Sequence, residues 1–347
     1  MYIAIASGKG GTGKTTLAVN LAVHVARAGH PVVLADCDVE EPNAHLFLSA
    51  EPARTMPHTI PVPQIDASAC LGETCRQCVT ECRFNALTWM KGVMPFSELC
   101  HSCGLCMMIC PAGAITETSR TVGMVEMRTP QLPQSPKDQS GNATSLTLVS
   151  GRMRISEAMA PPLIREVKQQ AHAISASIRN SITFWDSPPG TSCPMISTVE
   201  DADYTVLVTE PTPFGLHDLN LAVETMRTLK RPFGVIINRD GMGDNRALEY
   251  LKQQNIPLLG TIPHSVRAAQ AVSSGGLLID AVEGMEQRFD ELSRRILHHA
   301  SQEIPSDRHE LGGASGHTDN AGIGLQKLSG RYAKETSPDS TTQEKPA

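Results

Sequence analysis

A glycine-rich turn near the start of the chain, from Gly8 to Thr15, constrains the fold more than any other feature. It fits G-x-x-x-x-G-K-S/T, a pattern in which backbone N–H groups turn inward around phosphate oxygens. Apolar residues 2–6 predict a buried strand before the turn, and helical spacing of apolar residues predicts a helix over 15–28. Because residues 32–35 form a second apolar run, the segment predicts a βαβ unit of an α/β fold with a mainly parallel sheet.

The loop contains the residue types that phosphate binding requires. Lys14 is expected to reach the outer phosphates, and the Thr15 hydroxyl is expected to ligate Mg²⁺. The following helix points its positive dipole end at the same anion. The residues of the loop predicted to bind the nucleotide are Gly8, Gly10, Gly11, Thr12, Gly13, Lys14, Thr15 and Thr16.

Carboxylates follow two of the predicted strands. Asp36 and Asp38 end the second strand, and Asp186 ends a strand predicted at 182–186, where Ser-Pro-Pro-Gly follows up to Gly190. Parallel sheets bind ligands in the crevice outside the carboxyl ends of their strands. The sequence therefore predicts that both acidic motifs lie beside the phosphate loop.

These motifs together resemble the MinD/Mrp/ParA superfamily of P-loop ATPases, which includes the nitrogenase iron protein. Lys9 is an additional lysine in the loop and matches the deviant Walker A form of that superfamily, GKGGxGKTT. The resemblance covers residues 1–50 and 144–300, with the motifs in the expected order. It implies a homodimer in which Lys9 reaches the partner's nucleotide, as an arginine finger does.

The resemblance also implies which residues are catalytic. Lys9 and Lys14 would act on the phosphates, and Asp38 would position the attacking water. Asp186 would hold Mg²⁺ through water, with Asp36 supporting the ion. ATP and Mg²⁺ are the cofactors that this implies, and ATP hydrolysis is the expected reaction.

Three further residues have nucleotide-binding roles in the resembled superfamily. Gly190 would sense the γ-phosphate through its N–H and allow its loop to move after hydrolysis. Asn238 would read the adenine, with Arg239 beside it. An Asn after a strand is also a common turn residue, which is the simpler interpretation of this position.

Eight of the ten cysteines lie between Cys70 and Cys110, which favours metal ligation over disulfides in a reducing cytoplasm. The second run matches the bacterial ferredoxin pattern C-x₂-C-x₂-C-x₃-C-P in every position. The first run has four residues in its first gap, where the pattern has two, and Arg83 in place of the proline. The predicted cluster ligands are Cys70, Cys75, Cys78, Cys82, Cys100, Cys103, Cys106 and Cys110.

In two-cluster ferredoxins the fourth cysteine of a run ligates the other cluster. The crossing implies a first 4Fe–4S cluster on Cys70, Cys75, Cys78 and Cys110. It implies a second 4Fe–4S cluster on Cys100, Cys103, Cys106 and Cys82. A zinc site is the main alternative, and the longer gap leaves open a three-iron form of the first cluster. Cys193 has two interpretations, a transient cluster or thiol site and a small buried residue.

The cysteines interrupt the α/β pattern, which predicts a discontinuous ATPase domain at 1–64 and 119–303. Residues 65–118 would form an inserted ferredoxin-like α+β module, and 304–347 a disordered tail. Proline-containing segments at 51–64 and 129–143 are interpreted as linkers.

The net charge of −6 gives no electrostatic basis for binding nucleic acid. No apolar run reaches the roughly 18 residues of a membrane span, so we expect a cytoplasmic protein without a membrane partner. The leading hypothesis is an ATPase that couples nucleotide state to two clusters, for electron transfer to, or cluster delivery to, an unknown redox or client protein. The alternatives are an ATP-driven regulatory or partitioning factor with redox-sensing clusters and, with least support, an amidating enzyme.

Overall fold

The computed structural model describes residues 1–132 and 145–303. In chain order its strands are β1 (Tyr2–Ala6), β2 (Val32–Asp36), β3 (Arg54–Ile65), β4 (Leu87–Trp89), β5 (Val93–Pro95), β6 (Ile115–Arg128), β7 (Leu146–Met153), β8 (Ile182–Asp186), β9 (Tyr204–Thr209), β10 (Phe233–Asp240) and β11 (Leu258–Pro263). Its helices are α1 (Lys14–Arg27), α2 (Ala44–Phe47), α3 (Gln77–Thr80), α4 (Leu105–Met108), α5 (Ala160–Ala176), α6 (Cys193–Val199), α7 (Pro213–Leu229), α8 (Arg246–Gln253), α9 (Val266–Ser273), α10 (Leu278–Ala281) and α11 (Met285–Glu303).

Nine strands form one sheet in the order β11-β10-β9-β1-β8-β2-β7-β6-β3. The seven strands from β11 to β7 are parallel to their neighbours, and β6 and β3 add an antiparallel edge. Every residue of β2, β8 and β9 is buried, as expected where helices cover both faces of a parallel sheet. The predicted α/β fold with a mainly parallel sheet is confirmed.

Two apolar cores lie on opposite faces of this sheet. On one face, α1 and α11 contribute residues such as Leu21 and Phe289. On the other face, α5 and α7 contribute residues such as Leu163 and Met226. The sequence predicts helices near 161–176, 215–229, 244–253 and 284–303, and the structure confirms them within about two residues as α5, α7, α8 and α11.

The interpretation of 51–64 as a linker is wrong, because most of this segment forms β3. The strand pairs with β6 from Arg54 opposite Met127 to Ile65 opposite Ile115. Its three prolines are tolerated because β3 is the edge strand of the sheet, where a missing N–H leaves no neighbour unsatisfied. The sequence also predicts a short strand at 119–128, and in the structure these residues are the C-terminal part of the longer β6, Ile115–Arg128.

The cysteine segment between β3 and β6 contains only short elements. These are α3, α4, the β4–β5 hairpin and two 3₁₀ turns. Its own apolar cluster has three buried members, Cys78, Leu87 and Ile115. Such a small core supplies little stability, and the inserted domain at 65–118 stays a prediction.

In the described part of the chain no helix is long and apolar enough to cross a membrane. The predicted tail at 304–347 and most of the predicted linker at 129–143 lie outside the described residues.

Candidate functional site

The phosphate loop joins β1 to α1 and depends on its glycines. Gly11 and Gly13 have φ of 77° and 93°, in the left-handed region that glycine adopts without strain. A Cβ at Gly8 would lie 2.0 Å from the carbonyl oxygen of Asp218 in α7. A Cβ at Gly13 would lie 2.4 Å from the side-chain nitrogen of Asn238. The loop is therefore closely packed against two neighbouring elements.

The sheet places both acidic motifs next to this loop. Strand β8 lies between β1 and β2, so that Ile5 pairs with Asp186 and Asp186 pairs with Asp36. The Cys37 N–H donates to the Asp186 carbonyl oxygen at 2.9 Å. The expected meeting of the phosphate loop and the two acidic motifs is present in the structure, while their individual roles stay predictions.

Asp186 is the buried acid at the centre of the site. It is fully buried, and neither carboxylate oxygen has a hydrogen-bond partner of good geometry among the described residues. Burial raises its pKa to about 7, while the nearby Thr15 hydroxyl and Lys14 ammonium lower it. A carboxylate without a partner beside a threonine hydroxyl offers the oxygen ligands that Mg²⁺ prefers, so these residues fit the ion.

Asp36 is also fully buried, but its oxygens are occupied. They accept backbone hydrogen bonds from Asn43 at 2.9 Å, Ala44 at 3.0 Å and Asp38 at 3.2 Å. Burial and the nearby Asp186 raise the pKa of Asp36 well above its usual value. These contacts give Asp36 a clear part in folding the loop after β2, and its support of Mg²⁺ stays a prediction.

The two loop lysines differ in burial. Lys14 is 6% exposed, and burial lowers its pKa against the attraction of Asp186 and Asp38. The side chain of Lys9 is 32% exposed and lies 3.9 Å from the carboxylate of Glu210. Lys14 thus belongs to the interior of the site, and Lys9 lies at its surface.

Two of the residues predicted to contact the nucleotide, Gly190 and Asn238, brace the loop in this structure, and the third, Arg239, pairs with Glu210. The Gly190 N–H donates to the Ser7 carbonyl oxygen at 3.0 Å, and Asn238 Nδ2 donates to the Thr12 carbonyl oxygen at 2.7 Å. Arg239 pairs with Glu210 at 2.7 Å. Binding of the γ-phosphate by Gly190 and of adenine by Asn238 stay predictions, and the former requires the Gly190 bond to Ser7 to break.

Glu210 is a residue of the site that sequence reasoning missed. It directly follows β9, at the same carboxyl edge of the sheet as Asp36 and Asp186. The rule that identified those two acids applies to Glu210 as well, because β9 is a neighbour of β1. The position of Glu210 directly after an apolar run of strand length could therefore have identified it from the sequence.

In the nucleotide-free protein, Asp186 and Asp38 should make stability fall as pH rises. Burial raises the pKa of Asp38 to about 6 and that of Asp186 to about 7, from 3.8. Their stabilising contribution is present below about pH 4 and is lost as pH rises through these values. Thermal unfolding without Mg²⁺ at about pH 5 to 8 measures this. The melting temperature of Asp186→Asn should exceed that of the wild type by an amount that grows with pH, and a constant difference would contradict the assignment.

The eight clustered cysteines line two neighbouring cavities. The larger cavity, of about 300 Å³, is lined by Cys82, Cys100, Cys103 and Cys106, and also by Cys78, which lines both cavities. The smaller cavity, of about 20 Å³, is lined by Cys70, Cys75, Cys78 and Cys110. The smaller cavity combines three cysteines of the first run with the fourth of the second, and the larger combines three of the second run with Cys82 and Cys78 of the first.

Sulfur atoms in both cavities accept backbone hydrogen bonds. Ser102 N–H donates to Cys100 Sγ at 3.4 Å, and Ala114 N–H donates to Cys110 Sγ at 3.3 Å. Such bonds tune iron–sulfur clusters, and four cysteines are the usual ligand set of a 4Fe–4S cluster. Among the described residues, no three His, Cys, Asp or Glu side chains converge closely enough to hold a metal ion. The donor chemistry fits clusters, while the sulfur positions shown do not form a closed single-ion site.

The remaining two cysteines lie outside these cavities. Cys37 is fully buried after β2, and burial raises the pKa of its thiol. Cys193 is exposed at the first residue of α6, so its interpretation as a buried small residue is wrong. Its role as a transient thiol or cluster site stays a prediction.

Comparisons with known proteins found a matching family model and several similar proteins. A family model described as "CobQ/CobB/MinD/ParA nucleotide binding domain" matches residues 3–279. The uncharacterized protein MJ0578 of Methanocaldococcus jannaschii is 26% identical over 296 residues, which cover 85% of this chain and 96% of the relative. An iron–sulfur cluster carrier protein of Synechocystis is 44% identical over 63 residues, 18% of each chain.

A solved structure is similar over almost its whole length. The septum site-determining protein MinD of Pyrococcus horikoshii, determined with Mg-ADP, aligns with a TM-score of 0.52 and 17% identity. The alignment covers 87% of this chain and 98% of that one. At this identity the likeness shows a shared fold.

Proposed function

Because the chain belongs to the CobQ/CobB/MinD/ParA nucleotide-binding family, we propose that it couples ATP hydrolysis to two 4Fe–4S clusters. Its α/β domain is a MinD/ParA-type P-loop ATPase domain. The output of the coupling is electron transfer or delivery of a cluster to a client protein. The observation that carries the proposal is that the fourth cysteine of each run, Cys82 or Cys110, lines the cavity that holds the first three cysteines of the other run.

On the ATPase side, the chain's own residues supply the parts that phosphoryl transfer needs. The glycine-rich loop and the start of α1 bind phosphates, and Lys14 neutralises charge that develops on them. Asp186 and Thr15 would hold Mg²⁺. Asp38, whose pKa is raised to about 6 by burial, lies near Lys14 and would orient the attacking water.

On the cluster side, Cys70, Cys75, Cys78 and Cys110 would hold one cluster, and Cys82, Cys100, Cys103 and Cys106 the other. When bound, the clusters supply one-electron redox chemistry. Ligation would also provide much of the folding free energy of this segment, because its own apolar core is small.

The central sheet connects the nucleotide site to the cysteine segment. Strand β2, which ends at Asp36, pairs with β7, β7 pairs with β6, and β6 pairs with β3, so one sheet runs from the acidic motif to both ends of the cysteine segment. An ion-pair network adds a second connection. Glu157, before α5, binds Arg120 and Arg154, and Arg154 also lies 3.8 Å from Glu98, two residues before Cys100.

The cysteine segment also exposes apolar side chains. Within the described part of the chain, eight large hydrophobic residues are exposed there: Leu71, Phe84, Met90, Met94, Phe96, Leu99, Leu105 and Met108. Exposed apolar surface of this kind is typical of protein–protein contacts. It supports a protein partner that docks near the clusters, as both electron transfer and cluster delivery require.

The direct test is hydrolysis of ATP by the full-length protein, purified anaerobically with its clusters. Phosphate release should require Mg²⁺, because the acids at the site are arranged for a metal-bound nucleotide, and it should stop when EDTA is added. Release that persists in EDTA, or its absence under all conditions, would contradict the proposed function.

A further inference from the structure

Glu210 forms an ion pair with the loop lysine Lys9. It is 8% exposed, and one of its carboxylate oxygens lies 3.9 Å from Lys9 Nζ. Its other oxygen accepts a hydrogen bond from Arg239 at 2.7 Å. A buried carboxylate requires partners of opposite charge, and these two cations are the partners that the described residues show for Glu210.

The two contacts of Glu210 differ in strength. The Arg239 contact is a charged hydrogen bond at ordinary length, whereas 3.9 Å between Lys9 and Glu210 is too long for a hydrogen bond. The lysine is therefore held by charge attraction alone. When Lys9 moves away from Glu210, no hydrogen bond between the two side chains is lost.

Glu210 is itself fixed in place. Its carbonyl oxygen accepts the Thr212 N–H at 2.8 Å, and Arg239 N–H donates to Asn238 Oδ1 at 2.9 Å. Asn238 in turn donates to the Thr12 carbonyl oxygen of the phosphate loop. Through Arg239 and Asn238, these bonds connect Glu210 to the phosphate loop without involving Lys9. The carboxylate therefore keeps its bond to Arg239 when Lys9 is absent from it.

We propose that Glu210 is a positioning residue that holds Lys9 within its own chain. Lys9 must break this ion pair before it can reach phosphates bound by a second copy of the chain. Glu210 thereby opposes ATP-dependent dimerisation until both nucleotides are in place. This inference rests on the proposed function, because it requires bound ATP, and on the homodimer that the superfamily resemblance implies.

The substitution Glu210→Gln removes the charge and retains an oxygen that can accept from Arg239, so the fold should be preserved. The experiment measures dimerisation of the full-length anaerobic protein by sedimentation velocity in a non-hydrolysable ATP analogue with Mg²⁺. A partly exposed ion pair is worth about 0.2–1 kcal/mol and each dimer must break two of them, so the dimer Kd should fall by about 2- to 30-fold in Glu210→Gln. The effect should shrink at high salt, which screens the pair.

Two controls separate this effect from a general change in charge. Glu224→Gln removes an exposed acid on α7 that contacts Asn220, and it should leave the dimer Kd unchanged. In the Lys9→Ala background, Glu210→Gln should also change nothing, since the lysine it holds is gone. Weaker dimerisation in Glu210→Gln, or the same gain without Lys9, would overturn the proposal.

Nucleotide binding, measured on the same samples by calorimetry, distinguishes failure of this inference from failure of the proposed function. A wild-type protein that binds the analogue but stays monomeric would overturn the role of Glu210 and leave ATP binding intact. A wild-type protein that binds no analogue would overturn both.

Discussion

Replacement of Lys14 by alanine should lower kcat/KM for ATP hydrolysis by about 10³-fold. The Lys14 side chain is almost fully buried at the start of α1, with Asp186 and Asp38 as its charged neighbours. In such a site one preorganised cation acts on the charge that develops on the phosphates, and removal of one such donor typically costs 10²–10³-fold. Lys14→Ala also leaves the two acids without their counter-charge, which weakens binding of the negatively charged nucleotide.

Phosphate release by the anaerobic protein at subsaturating ATP measures this effect. Lys252→Ala is the matched control, because Lys252 is an exposed lysine of α8, a helix that supplies none of the site residues, and it should retain wild-type activity. Circular dichroism of both variants checks the fold. Full activity in Lys14→Ala would show that the phosphate loop is not the site of hydrolysis.

The second large effect concerns the cysteines. Cys82→Ala and Cys106→Ala should each remove the same cluster, although the two residues belong to different runs, because both line the larger cavity. Cys75→Ala and Cys110→Ala should both remove the other cluster, because they line the smaller one. Iron content should fall from about eight to about four atoms per chain in each variant.

The EPR spectrum of the dithionite-reduced variants identifies which cluster remains. Cys82→Ala should match Cys106→Ala, and Cys110→Ala should match Cys75→Ala. Cys193→Ala is the control, since Cys193 lies in α6 outside both cavities, and it should retain about eight irons. If Cys82→Ala matched Cys75→Ala instead, each run would hold its own cluster and the crossed arrangement would be wrong.

Motifs such as the phosphate loop could be predicted from the sequence, because the residues that form them are close together along the chain. The phosphate loop needs a strand, its glycines and a helix start within about fifteen residues, and all are adjacent in the chain. The position of Asp186 beside this loop also followed from sequence, since apolar runs of strand length predict parallel strands whose carboxyl ends meet.

Other features depended on tertiary neighbours that the sequence does not specify. The prolines of β3 indicated a linker, and only the position of that strand at the sheet edge makes them compatible with pairing. The bond from Asn238 to Thr12 joins residues more than two hundred positions apart. The occupied oxygens of Asp36 likewise depend on the loop that folds over it, which periodicity does not reveal.

Coupling between the nucleotide site and the clusters is tested most directly by a redox titration of the clusters under argon, followed by EPR, with and without Mg-ATP. The sheet from β2 to β3 and the ion pairs around Glu157 join the nucleotide site to the cysteine segment, so bound nucleotide should alter the surroundings of the clusters. The midpoint potential of at least one cluster should shift when Mg-ATP is added, and Lys14→Ala should abolish the shift. Two intact clusters whose potentials are the same with and without Mg-ATP would contradict this coupling.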